Sequence, residues 1–278
     1  MNQILVVLFS VFSLIGYCGT PKKEYVDHPS NSNIKYEAVE ILTKDSYKLK
    51  SWICYPQAKD NINRVLVLAY GDTGNMSYWL RQVSEMLKKG YTIVMFDYRG
   101  YGQSQAFPVK EESLYYEEFT TDLVTVLEYT KKRFKSPIGV WALSTGSLSA
   151  TEAYQIEKYD YLITEGFMID PKEITTRLTE FLKKDYILPE EAKNYTTKIS
   201  KLTLPILLFT GDRDGLTQPD DSYRVSFLNP KSKVVMFKGG HLQGFQALSG
   251  TTHGQRYIEA IDDFYTKSVE SPKKETTM

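Results

Sequence analysis

The ten residues Ile138-Gly139-Val140-Trp141-Ala142-Leu143-Ser144-Thr145-Gly146-Ser147 constrain this chain more than any other stretch. The first six follow Ser136-Pro137 and form an apolar, β-favouring run; the next four are small. Leu148-Ser149-Ala150-Thr151-Glu152-Ala153 then suits a helix. A serine at an abrupt strand-to-helix turn, with alanine two positions before it and glycine two after it, reads as a nucleophile elbow. The small residues answer a steric demand. Such a serine sits in a strained backbone conformation, and larger side chains at 142 and 146 would collide across the turn. The helix that follows aims its first amides at any negative charge developing near Ser144. A-x-S-x-G alone is a weak signal, because short Ser/Gly turns arise by chance. Its meaning depends on the elements around it.

Those elements alternate. Tyr36 to Thr43 and Tyr47 to Tyr55 read as an antiparallel strand pair turning at Lys44-Asp45-Ser46. Arg64 to Ala69 is a continuous apolar run, as expected of a buried parallel strand, and ends in Tyr70-Gly71-Asp72-Thr73-Gly74-Asn75. Met76, Trp79, Leu80, Val83, Met86 and Leu87 then share one helix face, which stops at Gly90. The strand Tyr91 to Phe96 runs into Asp97-Tyr98-Arg99-Gly100-Tyr101-Gly102-Gln103-Ser104, and an amphipathic helix over roughly 114–134 returns the chain to the elbow strand. After the elbow come a strand at 161–167, a buried strand at Leu204 to Thr210, a last strand at Lys233 to Phe237, and a helix around 255–267. This order implies a mostly parallel sheet with helices on both faces. The chain has 278 residues, enough for one substantial α/β domain.

Here the chain resembles the α/β-hydrolase superfamily. Within it, the resemblance is to short-lidded serine hydrolases carrying H-G-N-A-G-N after the third strand and D-Y-R-G-Y-G-x-S after the fourth. The second motif stands unaltered from Asp97 to Ser104. The first is altered: Tyr70 replaces the usual histidine, Asp72 the asparagine and Thr73 the alanine. The elbow also departs, with Ala142 where glycine is commoner. The resemblance covers about Tyr36 to Lys267. It implies an α/β-hydrolase fold with a short helical lid over about 168–203, opened by Asp170-Pro171-Lys172-Glu173 as N-cap, first-turn proline and capping-box glutamate. A lid this small and polar would cover little substrate.

A serine hydroxyl needs a base to take its proton as it attacks. Of the three histidines, His241 lies in the glycine-rich loop Gly239-Gly240-His241 past the last strand; His28 falls in a polar stretch and reads as solvated, and His253 reads as a solvated or capping residue. The family places its triad acid after the strand ending at Gly211, three residues beyond the glycine, which favours Asp214 over Asp212. The order Ser144, Asp214, His241 is the order expected for this fold. Two amides are expected to face the oxyanion: that of Thr145, after the nucleophile, and that of Asp72, whose carboxylate must then point away. Arg99 reads as a loop-ordering residue. No cofactor or metal is called for. The expected activity is cleavage of carboxylic esters or thioesters of a small acyl substrate. A peptidase or acyltransferase on the same fold is the alternative, and a non-catalytic binding protein, suggested by Tyr70 and Asp72, a further one.

Charge and the N-terminus bound the partners. Lys plus Arg equals Asp plus Glu, 34 of each, so no global field favours nucleic acid. Two cysteines, Cys18 and Cys54, exclude a disulfide framework. Residues Ile4 to Ile15 form an apolar run within signal-peptide range and short of the ~20 needed to span a bilayer. Ile15-Gly16-Tyr17-Cys18 resembles the lipobox of bacterial lipoproteins, although Tyr17 stands where a small residue is usual and no Lys or Arg precedes the run. The division expected is a signal or lipoprotein-like segment at 1–18, a tether at 19–33, the hydrolase domain at 34–268 and a disordered tail at 269–278. Lipidation of Cys18 would place the protein at the bacterial cell envelope as a membrane lipoprotein; a secreted or periplasmic protein is the alternative.

Overall fold

Side-chain pattern decides where each strand sits. After the two-residue β1 (Thr20–Pro21), β2 (Lys35–Leu42) and β3 (Lys48–Tyr55) form the antiparallel pair, with Lys35 opposite Tyr55 and Leu42 opposite Lys48. β4 (Arg64–Ala69) leads through the two-residue β5 (Thr73–Gly74) and a 3-10 turn, Met76–Trp79, into α1 (Leu80–Lys88). Then follow β6 (Tyr91–Phe96), α2 (Glu117–Arg133), β7 (Ile138–Leu143), α3 (Gly146–Ile156) and β8 (Tyr161–Glu165). The lid region holds α4 (Pro171–Leu182) and α5 (Tyr195–Ile199). The chain closes with β9 (Ile206–Gly211), α6 (Pro219–Leu228), β10 (Ser232–Phe237), the short α7 (Gln243–Gln246) and α8 (Thr252–Tyr265). This computed structural model describes residues 20–71, 73–114, 116–249 and 252–270; Cys18 with the segment before it, Asp72, and the tail from 271 lie outside the described residues, as does the side chain of His253.

Eight strands form one sheet in the order β10-β9-β8-β7-β4-β6-β3-β2, parallel from β10 to β6 and antiparallel at β3 and β2. Every residue of β6, β7 and β9 is buried, as strands covered on both faces require. The fold is the α/β-hydrolase fold. Parallel pairing brings the carboxyl ends of β4, β7, β8, β9 and β10 to one edge of the sheet. Between β4 and β7 the strand order reverses, and at such a point the loops splay and leave a crevice.

The D-Y-R-G-Y-G-Q-S loop is held by buried charge. Asp97 accepts from the amides of Met76 (2.8 Å) and Gln103 (3.1 Å) and from the Tyr25 hydroxyl (2.7 Å). Gly102 has φ +44, and a Cβ there would stand 1.9 Å from an Asp97 oxygen, so only glycine fits. Arg99 is 1 % exposed and bridges Asp122 and Asp45, with its guanidinium 4.1 Å from the centre of the Tyr47 ring.

The stretch 19–33, expected from its composition to be a tether, packs on the domain from Thr20 onward. Thr20 and Pro21 pair with Thr73 and Gly74. The Asn75 side chain donates to the carbonyls of Lys22 and Glu24, and the Gly102 amide donates to that of Lys22. His28 is not simply solvated: its ring meets Trp52 and Tyr36 edge-on at 5.0 and 5.2 Å. The physical reason is that the loops after β4 and β6 carry amide donors, the Asn75 and Gln103 side chains and the Gly102 backbone, that need acceptors, and the arm's carbonyls supply them. Composition alone conceals this.

Candidate active site

Ser144 sits at the end of β7 with φ 52, the left-handed conformation expected of an elbow serine. A Cβ on Gly146 would come 2.0 Å from the carbonyl oxygen of Ala69, so the glycine is what lets α3 pass close to β4. The Ser144 amide donates to the carbonyl of Glu165 (3.0 Å), and the Ser147 amide and hydroxyl both donate to the Ser144 carbonyl. Thr145 opens α3, where the first amides of a helix have no acceptor within it. The Asp72 amide, the other expected oxyanion donor, lies outside the described residues.

His241 lies past β10, with Nε2 2.9 Å from the Ser144 hydroxyl and Nδ1 2.9 Å from Asp214 Oδ2. Asp214 also accepts from the amides of Leu216 and Thr217, both at 2.9 Å, and from the Thr217 hydroxyl at 2.7 Å. Burial alone would raise its pKa, but the charge and hydrogen bond of His241 and the bonds from Thr217 outweigh it and hold Asp214 below the ordinary carboxylate value. An ionised Asp214 only accepts, so Nδ1 donates to it and the Nε2 lone pair faces Ser144. Asp212 is turned elsewhere, accepting from the Gly239 amide at 2.9 Å.

Two residues here escaped the sequence reading. Thr217 is the first, and the spacing Asp-x-x-Thr, which suits an Asx-type turn, was its available signal. Glu165 is the second: a carboxylate closing a fully buried strand, beside the histidine loop.

Beside Thr145 and Gly71 a narrow cavity opens between the loops after β4 and β6. Tyr70, Tyr98, Tyr101, Leu114, Tyr116 and Phe119 line much of it. Its volume is only about 20 Å³. The segment 168–203, expected to be a short lid covering little substrate, contributes none of these walls. Phe181 is 69 % exposed and Leu178 is buried in the body. Asp170 does cap α4 by accepting from the Lys172 amide, but Glu173 makes no capping box; its carboxylate pairs with Arg224 and Arg177 instead. Paired arginines offer it more than one amide does.

Comparison with known proteins agrees with this architecture. Residues 60–185 match the family profile described as serine aminopeptidase, S33. Uncharacterised protein YfhR of Escherichia coli is 25 % identical over 237 residues, which cover 82 % of this chain and 80 % of that protein. Thiohydrolase aneE of Aspergillus aculeatus is 30 % identical over 137 residues, covering 48 % of this chain and 42 % of that one. Among solved structures, the Pyrococcus furiosus esterase Pf2001 superposes with a TM-score of 0.71 at 21 % identity, covering 90 % of this chain and 99 % of that one. The solved structures thus share the fold described above, the α/β-hydrolase fold.

Proposed function

We propose that this protein is a serine hydrolase that cleaves small carboxylic esters or thioesters through an acyl-Ser144 intermediate. The observation that supports it best is the continuous relay of Ser144, His241 and Asp214, with both contacts to the imidazole at 2.9 Å. Ser144 Oγ attacks the carbonyl carbon as Nε2 takes its proton, and Asp214 stabilises the imidazolium. The oxyanion is met by the Thr145 amide and, on the sequence reading, that of Asp72. Nε2–H then protonates the departing alcohol or thiol. Water, deprotonated by the same nitrogen, releases the acid and restores Ser144.

The cavity beside Thr145 sets the acyl size. Each buried methylene is worth roughly 0.8 kcal/mol, about fourfold in rate, while there is room for it. With space for little more than one water-sized group, kcat/KM is expected to level off within the first few acyl carbons. The test is a series from two to sixteen carbons on one leaving group, presented as esters, thioesters and amides. A steady climb to the longest soluble chain rejects the small-acyl reading. The match to a profile described as serine aminopeptidase favours the peptidase as the second reading, and dominant turnover of the amide arm would establish it.

Lipidation of Cys18 is proposed on the sequence alone. Because Thr20 is already docked, only Gly19 would separate a lipidated Cys18 from the domain, so the body would lie against the membrane rather than on a leash. Detergent-phase partitioning lost in Cys18→Ser is the expected result. An intact mass that retains residues 1–17 with no lipid would remove the proposal.

A further inference from the structure

Glu165 is a buried carboxylate for which the relay above has no use, and it touches both halves of that relay. Its backbone carbonyl accepts from the Ser144 amide at 3.0 Å. Its side chain accepts from the amides of Gly244 (2.9 Å) and Phe245 (2.7 Å), at the start of the turn that follows His241. That turn is strained: Leu242, next to His241, has φ 57 and no glycine's freedom. Gly166, next to Glu165, has φ +70, and a Cβ there would stand 2.8 Å from His241 Cε1. The imidazole thus lies directly against the Glu165-Gly166 backbone. Phe245 is in turn wedged on Trp141 (4.9 Å) and Trp79 (5.6 Å), so the residue that Glu165 grips is itself fixed to the sheet.

We propose that Glu165 is a positioning residue that clamps the strained His241 loop to the nucleophile elbow and sets a second negative charge behind the imidazole. An uncharged side chain could pack in this place at lower cost, since burying a carboxylate without a cationic partner is expensive. The groups facing Glu165 are the Gly244 and Phe245 amides on α7, His241 before it, Tyr257 on α8, and, across the imidazole, Asp214 after β9. None of them carries a permanent positive charge; the positive charge arrives only when His241 takes the serine proton. The charge of Glu165 is therefore worth most in the transition state. Burial pushes its pKa up to about 7 against the pull of the two amides, so it gains its charge across the neutral range.

The inference rests on the serine-hydrolase reading, and the experiment separates the two. In wild-type protein the acid limb of log kcat/KM against pH is expected to be steeper than one proton, because both His241 and Glu165 must lose theirs. Glu165→Gln keeps the size but not the charge. It is expected to lower kcat about 100-fold with KM little changed, and to return the limb to one proton. Glu165→Asp, which keeps the charge but not the reach, should lower kcat and retain the steep limb. A one-proton limb in the wild type overturns the proposal without any variant. So does a Glu165→Gln protein that melts earlier yet keeps wild-type kcat and limb. A wild-type protein inert to every ester, thioester and amide instead ends the hydrolase reading itself.

Discussion

Ser144→Ala and His241→Ala are each expected to lower kcat about a millionfold, the loss seen when members of a serine triad are removed singly. The double variant should lose little more, because nucleophile and base act as one unit. Asp214→Asn should leave roughly a ten-thousandth of the rate, since the serine and base remain but the tautomer at Nδ1 is no longer enforced. Asp212→Asn should stay near wild type, because its carboxylate is committed to the Gly239 amide and lies outside the relay. Steady-state rates on the best ester, with melting temperatures alongside, make the comparison. All four variants sit at strand-end loops and should unfold within a few degrees of the wild type. Covalent labelling by a fluorophosphonate should vanish in Ser144→Ala. The rate of the wild type should rise from acid toward neutral pH, because only neutral imidazole accepts the serine proton. The linkage of Asp214 runs in the same direction. Its folded pKa is depressed, so the stability it contributes is present above the unfolded value and is lost as pH falls through the folded one. Labelling that persists in Ser144→Ala would mean that another residue is the nucleophile.

The parts of this molecule visible in the sequence are those whose side chains carry a local pattern. β4 after Arg64, β7, and β9 up to Phe209 are uninterrupted apolar runs, and their burial on both faces follows from composition alone. The elbow was legible because its steric demand is local: Gly146 must be glycine to clear the Ala69 carbonyl. What escaped depends on groups distant in the chain. The sequence reading placed no helix between the last two strands, although Pro219 stands at the first position of α6 and Gln218 and Asp221 complete its capping box. That signal was present and overlooked. No local signal betrays the docking of residues 20–28. Lys22, Lys23 and Glu24 are side chains of a solvated linker, and it is their backbone carbonyls that bind Asn75, Gly102 and Gln103. Glu165 shows the same limit. A lone carboxylate at a strand end marks an exception, and only the fold reveals which amides it faces.

Arg99→Leu is expected to destabilise the protein by about 3–5 kcal/mol, the usual consequence of removing one partner from a buried ion pair. Arg99 is 1 % exposed and Asp122 fully buried; the guanidinium bonds Asp122 at 2.7 Å and Asp45 at 2.6 Å, and the Arg99 amide also donates to Asp122. Even with Arg99 present, burial pushes the pKa of Asp122 up to about 6. This is an acid whose folded pKa lies above its unfolded value near 3.9, so it draws stability from the fold as pH rises between the two, and its effect is flat above. Without the arginine the folded pKa climbs further and the losing window extends toward neutral pH. The variant should therefore be closest to the wild type near pH 5 and fall away from it by pH 8. Replacing Asp122 as well, as in Arg99→Leu with Asp122→Leu, should recover part of the loss, because the stranded carboxylate is then gone. Urea unfolding of the wild type and both variants at the two pH values is the measurement. A single-variant loss below about 1 kcal/mol at pH 8 would mean that solvent reaches Asp122, and the pair would then count as a surface bridge. Activity offers a second view. Tyr98 and Tyr101, in the same loop as Arg99, line the cavity beside Thr145, so on the proposed reading loosening this loop should blunt the chain-length cutoff before the fold is lost.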